Sequence, residues 1–129
     1  MNIIRWGSGI FEADAPADYL TIVARQIVEK IHECIDKGAD HQMGEAFCCE
    51  TFVMPGVDIL LTLTKSYSNA MVPILMELPV DQWQSWYLGV FDKYEFVNRD
   101  DPFVQSRRKI IVQTFAELKL LIGDEQEED

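Results

Sequence analysis

The chain lacks several features of secreted and membrane-spanning proteins. Its 129 residues include only three cysteines, an odd number that fits reduced thiols better than a disulfide framework. Residues 1–6 show no basic segment followed by an apolar block, so we expect no secretory signal. The longest apolar run, 70–76, contains Pro73 and is much shorter than the roughly 20 residues of a membrane span. These absences predict a cytoplasmic protein without a membrane segment.

Basic residues are also scarce. Eleven Lys and Arg against 22 Asp and Glu give a net charge of −11. Five of the acids lie in the last six residues, and without them the chain still has 17 acids against 11 bases. We expect no nucleic-acid binding, because phosphate neutralisation needs the opposite sign. An acidic surface suits a basic protein partner, or it serves only to keep the protein soluble.

The segment from Trp6 to Leu20 places two glycines between two aromatic residues. Gly7 and Gly9 are typical of a tight turn, because glycine adopts positive φ or allows close approach of another backbone. Such a turn would fold Trp6 and Phe11 onto one apolar surface. A ligand site in the glycine loop is the alternative, although G-x-G without a third glycine is no nucleotide fingerprint.

A helix start follows the glycine loop. Asp14 stands just before Ala15-Pro16, and proline is tolerated in the first turn of a helix. We therefore predict that Asp14 is the N-cap, with its carboxylate accepting from first-turn N–H groups. Asp18 is predicted to lie in the same turn, where its charge suits the helix dipole.

This opening segment resembles the signature of a bacterial family catalogued as domain of unknown function 4259. The residues that carry the resemblance are Trp6, Gly7, Gly9, Phe11, Asp14, Asp18, Tyr19 and Leu20. Pro16 departs from the pattern, since the family more often has alanine there. The resemblance covers only the opening part of the chain. It implies a small, mostly helical, uncharacterised bacterial protein of the cytosol, similar in size and acidity to immunity-type proteins that neutralise a toxin. It assigns no catalytic residue.

Apolar residues at helical spacing recur along the rest of the chain. The predicted helices cover residues 15–37, 45–53, 57–67, 81–94 and 102–123. The segment 57–67 also alternates like a strand, but no neighbouring segment offers a hairpin partner, so we predict a helix. The sequence thus predicts an all-α single domain over residues 1–123. We expect a helical bundle of four to six helices in which the first and last long helices are in contact. The N-terminal loop is expected to pack on this bundle.

Proline and glycine mark the expected helix boundaries. The triplet Met54-Pro55-Gly56 should stop or bend a helix, and Pro73 should prevent an undisturbed helix through residues 70–76. The pair Asp101-Pro102 is typical of an N-cap followed by the first helical residue. Gly123 is expected to end the last helix. We predict that the acidic tail, 124–129, is disordered, because negative charge is unfavourable at a helix C-terminus.

The thiols and imidazoles are the candidate reactive groups. Cys48 and Cys49 are adjacent, so they do not form the C-x-x-C chelate of a zinc site. A metal site that adds His41 and Glu45 is the functional alternative to buried apolar thiols. A cysteine nucleophile would need an imidazole beside it, and the candidates for such a pair are Cys34, Cys48, Cys49, His32 and His41. We predict no catalytic residue, no cofactor and no metal.

Two groups of residues are candidates for a partner surface. Trp83, Trp86 and Tyr87 form an aromatic stripe at helical spacing. Such a stripe is typical of a core, yet Trp and Tyr are also favoured anchors at interfaces. Arg107 and Arg108 form a basic patch in an acidic chain, and a solvated helix face is the simpler interpretation of it.

These observations lead to one functional hypothesis and one alternative. The hypothesis is a non-catalytic cytosolic protein-binding module, for example an immunity-type protein that neutralises a basic toxin. The alternative is a small enzyme or metal-binding protein that uses His32, His41 and the cysteines. Self-association into a homo-oligomer is compatible with either.

Overall fold

Helix α1 spans Asp14–Lys37, close to the predicted residues 15–37. The computed structural model describes residues 7–38 and 44–127, with side chains as far as Gly123. The helix is amphipathic, because its apolar residues recur every three or four positions. The residues buried on its inner face are Leu20, Ala24, Ile31 and Cys34. The opposite face of the helix is exposed to solvent.

Two predictions about the start of α1 are wrong. The N-cap is Ala13, whose backbone is extended (φ −150°, ψ 153°) and whose carbonyl accepts from the N–H of Ala17 at 3.0 Å. Ala13 has no side-chain acceptor, so the helix starts without a side-chain cap. Asp14 becomes the first helical residue, where its charge still suits the helix dipole. Asp18 lies beyond the first turn.

The residues Gly44–Ser66 form a continuous helical stretch with a wider turn inside it. Helix α2 spans Gly44–Cys48, a π-helical turn spans Cys49–Val53, and helix α3 spans Met54–Ser66. The prediction of a buried helix after residue 57 is therefore confirmed. The Met54-Pro55-Gly56 triplet does not stop the helix, because helical residues continue through it. The wider turn accommodates the proline, which has no N–H and would clash with a carbonyl of a regular preceding turn.

By length and composition alone, Gly44–Ser66 is apolar enough to cross a membrane, since its most apolar window of 18 residues has a mean hydropathy of 1.6. The stretch contains no long uninterrupted apolar run, so the sequence prediction missed it. In the fold, 44% of its most apolar window is buried. The stretch packs against α1, while Glu50, Asp58 and Lys65 are exposed to solvent. The absence of a membrane segment, expected from the sequence, stays a prediction.

Helix α4 spans Ser68–Leu75 and contains Pro73. The helix remains intact, although we expected Pro73 to disturb it. The proline has no N–H to donate to the carbonyl of Asn69, four residues earlier, and the helix ends within three residues. Ala70, Met71, Ile74 and Leu75 are buried, so packing holds this short helix in place.

Helix α5 spans Val80–Tyr94, a short 3-10 turn spans Phe96–Asn98, and helix α6 spans Pro102–Glu127. Asp101 caps α6 as predicted, because its Oδ1 accepts from the N–H of Phe103 at 2.8 Å. The prediction that Gly123 ends this helix is wrong. Residues 124–127 of the acidic tail continue the helix, and residues 128 and 129 lie outside the described part of the chain.

The core lies where the helices meet. α1 packs against α3, α4 and the π turn, and α6 packs against α3, α4 and α5. The largest fully buried side chains are Trp83, Tyr87, Phe115, Ile31, Leu60 and Met71. The residues 7–38 and 44–127 contain no strand, so the predicted all-α single-domain bundle is confirmed. Helix α1 packs mainly on α4 and the π turn, and α6 packs mainly on α3 and α5, so the extensive contact predicted between α1 and α6 is not found among the described residues.

Candidate functional site

The glycine loop, residues 7–12, is a turn closed by Glu12. The N–H of Glu12 donates to the carbonyl of Gly9 at 3.1 Å, and the N–H of Gly9 donates to Glu12 Oε1 at 3.2 Å. Neither Gly7 nor Gly9 has a positive φ, contrary to one of our two expectations. A Cβ at either glycine would meet the Glu12 carboxylate, so a larger residue there would force that side chain to turn away from the loop. The loop therefore presents a carboxylate that its own backbone holds.

Phe11 anchors the glycine loop on the bundle. Its ring meets the ring of Tyr67 edge to face, with 4.6 Å between the centroids. A cleft of about 250 Å³ separates the loop from the start of α4, and Ser66, Ser68 and Asn69 help to line it. The packing of Phe11 on the bundle agrees with the sequence prediction. Trp6, the other predicted anchor, lies outside the described residues.

The aromatic stripe belongs to the core. Trp83 and Tyr87 are buried, and Trp86 is half-buried. Burial raises the pKa of the Tyr87 hydroxyl above its ordinary range, mainly because the charged form would lose its solvation. Trp83 and Tyr87 are thus unavailable to a partner in this fold, and the candidate surface built on them is wrong. Helical spacing had correctly indicated core residues.

The two candidate arginines differ in their surroundings. Arg108 forms a bidentate pair with Asp92, with Nε at 2.8 Å from Oδ1 and a terminal nitrogen at 3.0 Å from Oδ2. The hydrogen bonds from Arg108 lower the pKa of the Asp92 carboxyl. Arg107 is exposed and has no ion pair among the described residues. Only Arg107 therefore keeps its charge free for a partner.

The three thiols are buried and free. Burial raises the pKa of Cys34 to about 11 and that of Cys49 to about 12. Contact with the thiol of Cys48 adds to the shift at Cys34. Because the thiolate is the reactive form, these raised pKa values make Cys34 and Cys49 poor nucleophiles at neutral pH. Their chemistry is that of small apolar core groups.

No imidazole joins the thiols within the described residues. The ring of His32 is exposed and meets the ring of Trp83 edge to face, with 5.5 Å between the centroids. Residues 7–38 and 44–127 contain no group of three or more His, Cys, Asp or Glu that could hold a metal ion. His41 lies outside the described residues.

The solvent side of α1 combines carboxylates with apolar side chains. Tyr19 is 65% exposed and Ile22 is 56% exposed, and both lie between the exposed carboxylates of Asp18 and Glu29. No ion pair joins either carboxylate to a cation in the part of the chain described here. The nearby cation Arg25 is already paired with Glu77 at 3.0 Å. We call the set Asp14, Asp18, Tyr19, Ile22 and Glu29 the acidic face of α1.

A second exposed apolar surface lies where α5 passes into α6. Phe96 is 62% exposed, Val97 is 87% exposed and Phe103 is 77% exposed. Tyr94 is half-exposed beside them. We call these four residues the aromatic corner. Phe103 lies at helical spacing from the buried Ile111, so the periodicity of the last helix predicts that Phe103 is also buried, and this prediction is wrong.

Sequence reasoning missed both surfaces, although a signal for one of them was present. Tyr19, Ile22, Gln26 and Glu29 follow each other at helical spacing on the face opposite the core residues of α1. An apolar pair on a polar helix face therefore pointed to the acidic face. The aromatic corner had no such signal, since its exposure depends on where α5 ends.

Comparison with known proteins gives no further guide to the site. The chain matches no protein-family model, no curated protein and no solved structure. The resemblance of the opening segment to the family of unknown function 4259 therefore stays a prediction.

Proposed function

We propose that this protein is a non-catalytic binding module for a basic protein, which it contacts through the acidic face of α1. One observation carries the proposal: the exposed side chains of Tyr19 and Ile22 lie among carboxylates that have no intramolecular partner in the described residues. Apolar anchors surrounded by uncompensated charge of one sign are the composition that a partner of opposite charge recognises.

The electrostatics of the whole chain support the same partner. A net charge of −11 attracts a cationic protein over a distance of about one Debye length, roughly 8–10 Å at physiological salt. The carboxylates would then set the rate of encounter, and the apolar anchors would set the lifetime of the complex. A cytoplasmic protein that neutralises a basic toxin fits this description, as does any other module that covers a cationic surface.

The proposal is tested with the proteins encoded by the genes next to this one, each purified and titrated calorimetrically. We expect one of them to be basic and to bind with a dissociation constant that rises as salt is added. Tyr19→Ala and Asp18→Asn should each weaken this binding about tenfold or more. The matched controls are Ile59→Ala and Asp58→Asn, which remove an exposed apolar side chain and a carboxylate on α3.

The pattern of losses decides the result. Binding that survives Tyr19→Ala but is lost in Ile59→Ala would place the partner elsewhere and refute the role of the acidic face. If none of the neighbouring proteins binds, or if the bound protein is acidic, the proposed partner class is wrong. Circular dichroism of each variant shows that the helices remain folded.

A further inference from the structure

Hydrogen bonds and a ring contact order the backbone of the aromatic corner. Its backbone is closed by hydrogen bonds from Asn98 N–H to Glu95 O at 3.0 Å and from Asp101 N–H to Asn98 O at 2.9 Å. The guanidinium of Arg99 donates to Phe96 O at 2.7 Å and stacks on the Phe96 ring, 4.3 Å from its centroid. The exposed apolar side chains therefore belong to an ordered turn. An interface built on such a turn loses little conformational entropy when it forms.

A cleft adjoins these projecting side chains. It has a volume of about 290 Å³ and is lined by Glu50, Phe91, Glu95, Phe103, Val104 and Arg107. Phe103 belongs both to the cleft and to the aromatic corner. One patch thus carries a projecting apolar turn and a hollow with an apolar wall. A twofold interface needs both on the same surface, because each copy must offer what the other receives.

Charge favours this patch for contact between two copies of the chain. Residues 91–109 together with Glu50 of the cleft contain five acids and five bases, a net charge of 0, so the whole net charge of −11 lies on the rest of the chain. Two copies that meet at this patch therefore avoid most of the repulsion between their acidic surfaces. The cleft also holds both signs, since neither Glu50 nor Arg107 has an ion pair within the described residues. A strongly cationic partner would find no excess of negative charge here.

We propose that the aromatic corner, with the adjoining cleft, is the interface of a homodimer. The contact is isologous: the apolar turn of one copy packs against the cleft of the other, and the reverse contact forms at the same time. This surface is separate from the acidic face of α1, so the dimer goes beyond the proposed function and does not depend on it.

Sedimentation equilibrium of the full chain tests the dimer. Between about 5 and about 500 µM protein we expect a monomer–dimer equilibrium whose dissociation constant falls inside this range, on the order of micromolar to submillimolar. Phe103→Glu should raise that constant about 100-fold or more, because each dimer loses the side chain twice. Leu120→Glu is the matched control, an exposed leucine further along α6, and it should leave the constant unchanged.

Salt separates this interface from a charge-driven one. Raising the salt concentration should strengthen the dimer or leave it unchanged, because salt screens the repulsion between two chains of charge −11. Val97→Glu repeats the test at a second exposed position, and circular dichroism verifies the fold of both variants. A wild-type chain that remains monomeric over the whole range overturns the proposal. A dimer whose dissociation constant is unchanged in both Phe103→Glu and Val97→Glu also overturns it. The same holds for a dimer that an acidic partner displaces while Phe103→Glu leaves the dissociation constant unchanged.

Discussion

Replacing Gly56 by alanine tests how closely α3 packs on α1. A Cβ atom at position 56 would lie 3.1 Å from Ile27 Cγ2 and 3.2 Å from Ile31 Cδ1. Both distances are shorter than the 3.5–4.0 Å at which carbon atoms attract most strongly. The two isoleucines must therefore shift by a few tenths of an ångström to admit the methyl group, and Ile31 is fully buried.

Two opposing contributions set the size of the effect. Alanine in a helix interior is about 1 kcal/mol more favourable than glycine. An extra methyl group in a packed core costs about 1–3 kcal/mol. We expect Gly56→Ala to lower the free energy of unfolding by between about 0 and 2 kcal/mol. The control is Gly89→Ala in α5, where a Cβ meets nothing within 4 Å, so the full gain of about 1 kcal/mol should appear.

Urea unfolding followed by circular dichroism measures both variants. A third variant, Ile31→Val, removes the Cδ1 atom that the new methyl group would meet, at a cost of about 1 kcal/mol. Gly56→Ala should then be less harmful in the Ile31→Val background than in the wild type, a coupling that a double-mutant cycle detects. If Gly56→Ala stabilises the protein as much as Gly89→Ala does, α3 and α1 are further apart than described, and the reasoning is refuted.

Three further predictions concern the cap, the core and the thiols. Asp101→Ala should lower the free energy of unfolding by about 1 kcal/mol through loss of the α6 cap, measured by urea unfolding, and an unchanged midpoint would contradict the cap. Phe115→Ala should cost about 3–5 kcal/mol by leaving a core cavity, seen as a large drop in melting temperature, whereas a drop of a few degrees would argue against full burial. The raised pKa of Cys34, about 11 against an ordinary 9.0, means that the unfolded thiol ionises first. The protonated Cys34 thiol should give its full contribution to stability below pH 9, and this contribution should be lost as pH rises towards 11. The urea midpoint of the wild type should therefore fall more over this range than that of Cys34→Ala, and a wild-type midpoint that falls no more than that of the variant would contradict the prediction.

Helices were predictable where the apolar spacing and the boundary residues agree. In α1, Leu20, Ala24 and Ile31 recur on one face, and the helix was predicted to within one residue at its start. Asp101 capped α6 as expected, because an Asp-Pro pair satisfies the first turn without help from the rest of the fold. Local chemistry decides both features.

Features that depend on neighbouring helices were not predictable. Pro73 is a helix breaker by its own chemistry, yet Met71 and Ile74 on either side of it are fully buried, and their packing offsets the lost hydrogen bond. The π turn before Pro55 accommodates the proline, and Val53 and Cys49 within it are both buried, so the helical stretch continues where a stop was expected. A sequence pattern shows the local penalty but not the tertiary contacts that compensate for it.

The candidate surfaces also divide into features that local sequence predicts and features that depend on neighbouring helices. Trp83 and Tyr87 were recognisable as core residues from their spacing, whereas the exposure of Phe103 was not. Phe103 lies at helical spacing from the buried Ile111, but it stands in the first turn of α6, beyond the end of α5 at Tyr94. None of the helices described above covers that turn. The periodicity of α6 gives the direction of its side chains and says nothing about where the neighbouring helix stops.

The acidic face of α1 and the aromatic corner would bind their partners by different physical interactions. The response of an observed complex to salt therefore shows which of the two surfaces forms it. The acidic face of α1 would attract its partner by charge, so screening weakens that complex. The aromatic corner would join two chains of charge −11 by burial of apolar surface, so the same screening favours the dimer. A salt series on the wild-type protein should therefore move the two equilibria in opposite directions. If both weakened together, charge would be driving association at the aromatic corner as well, and a second copy of this acidic chain could not be its occupant.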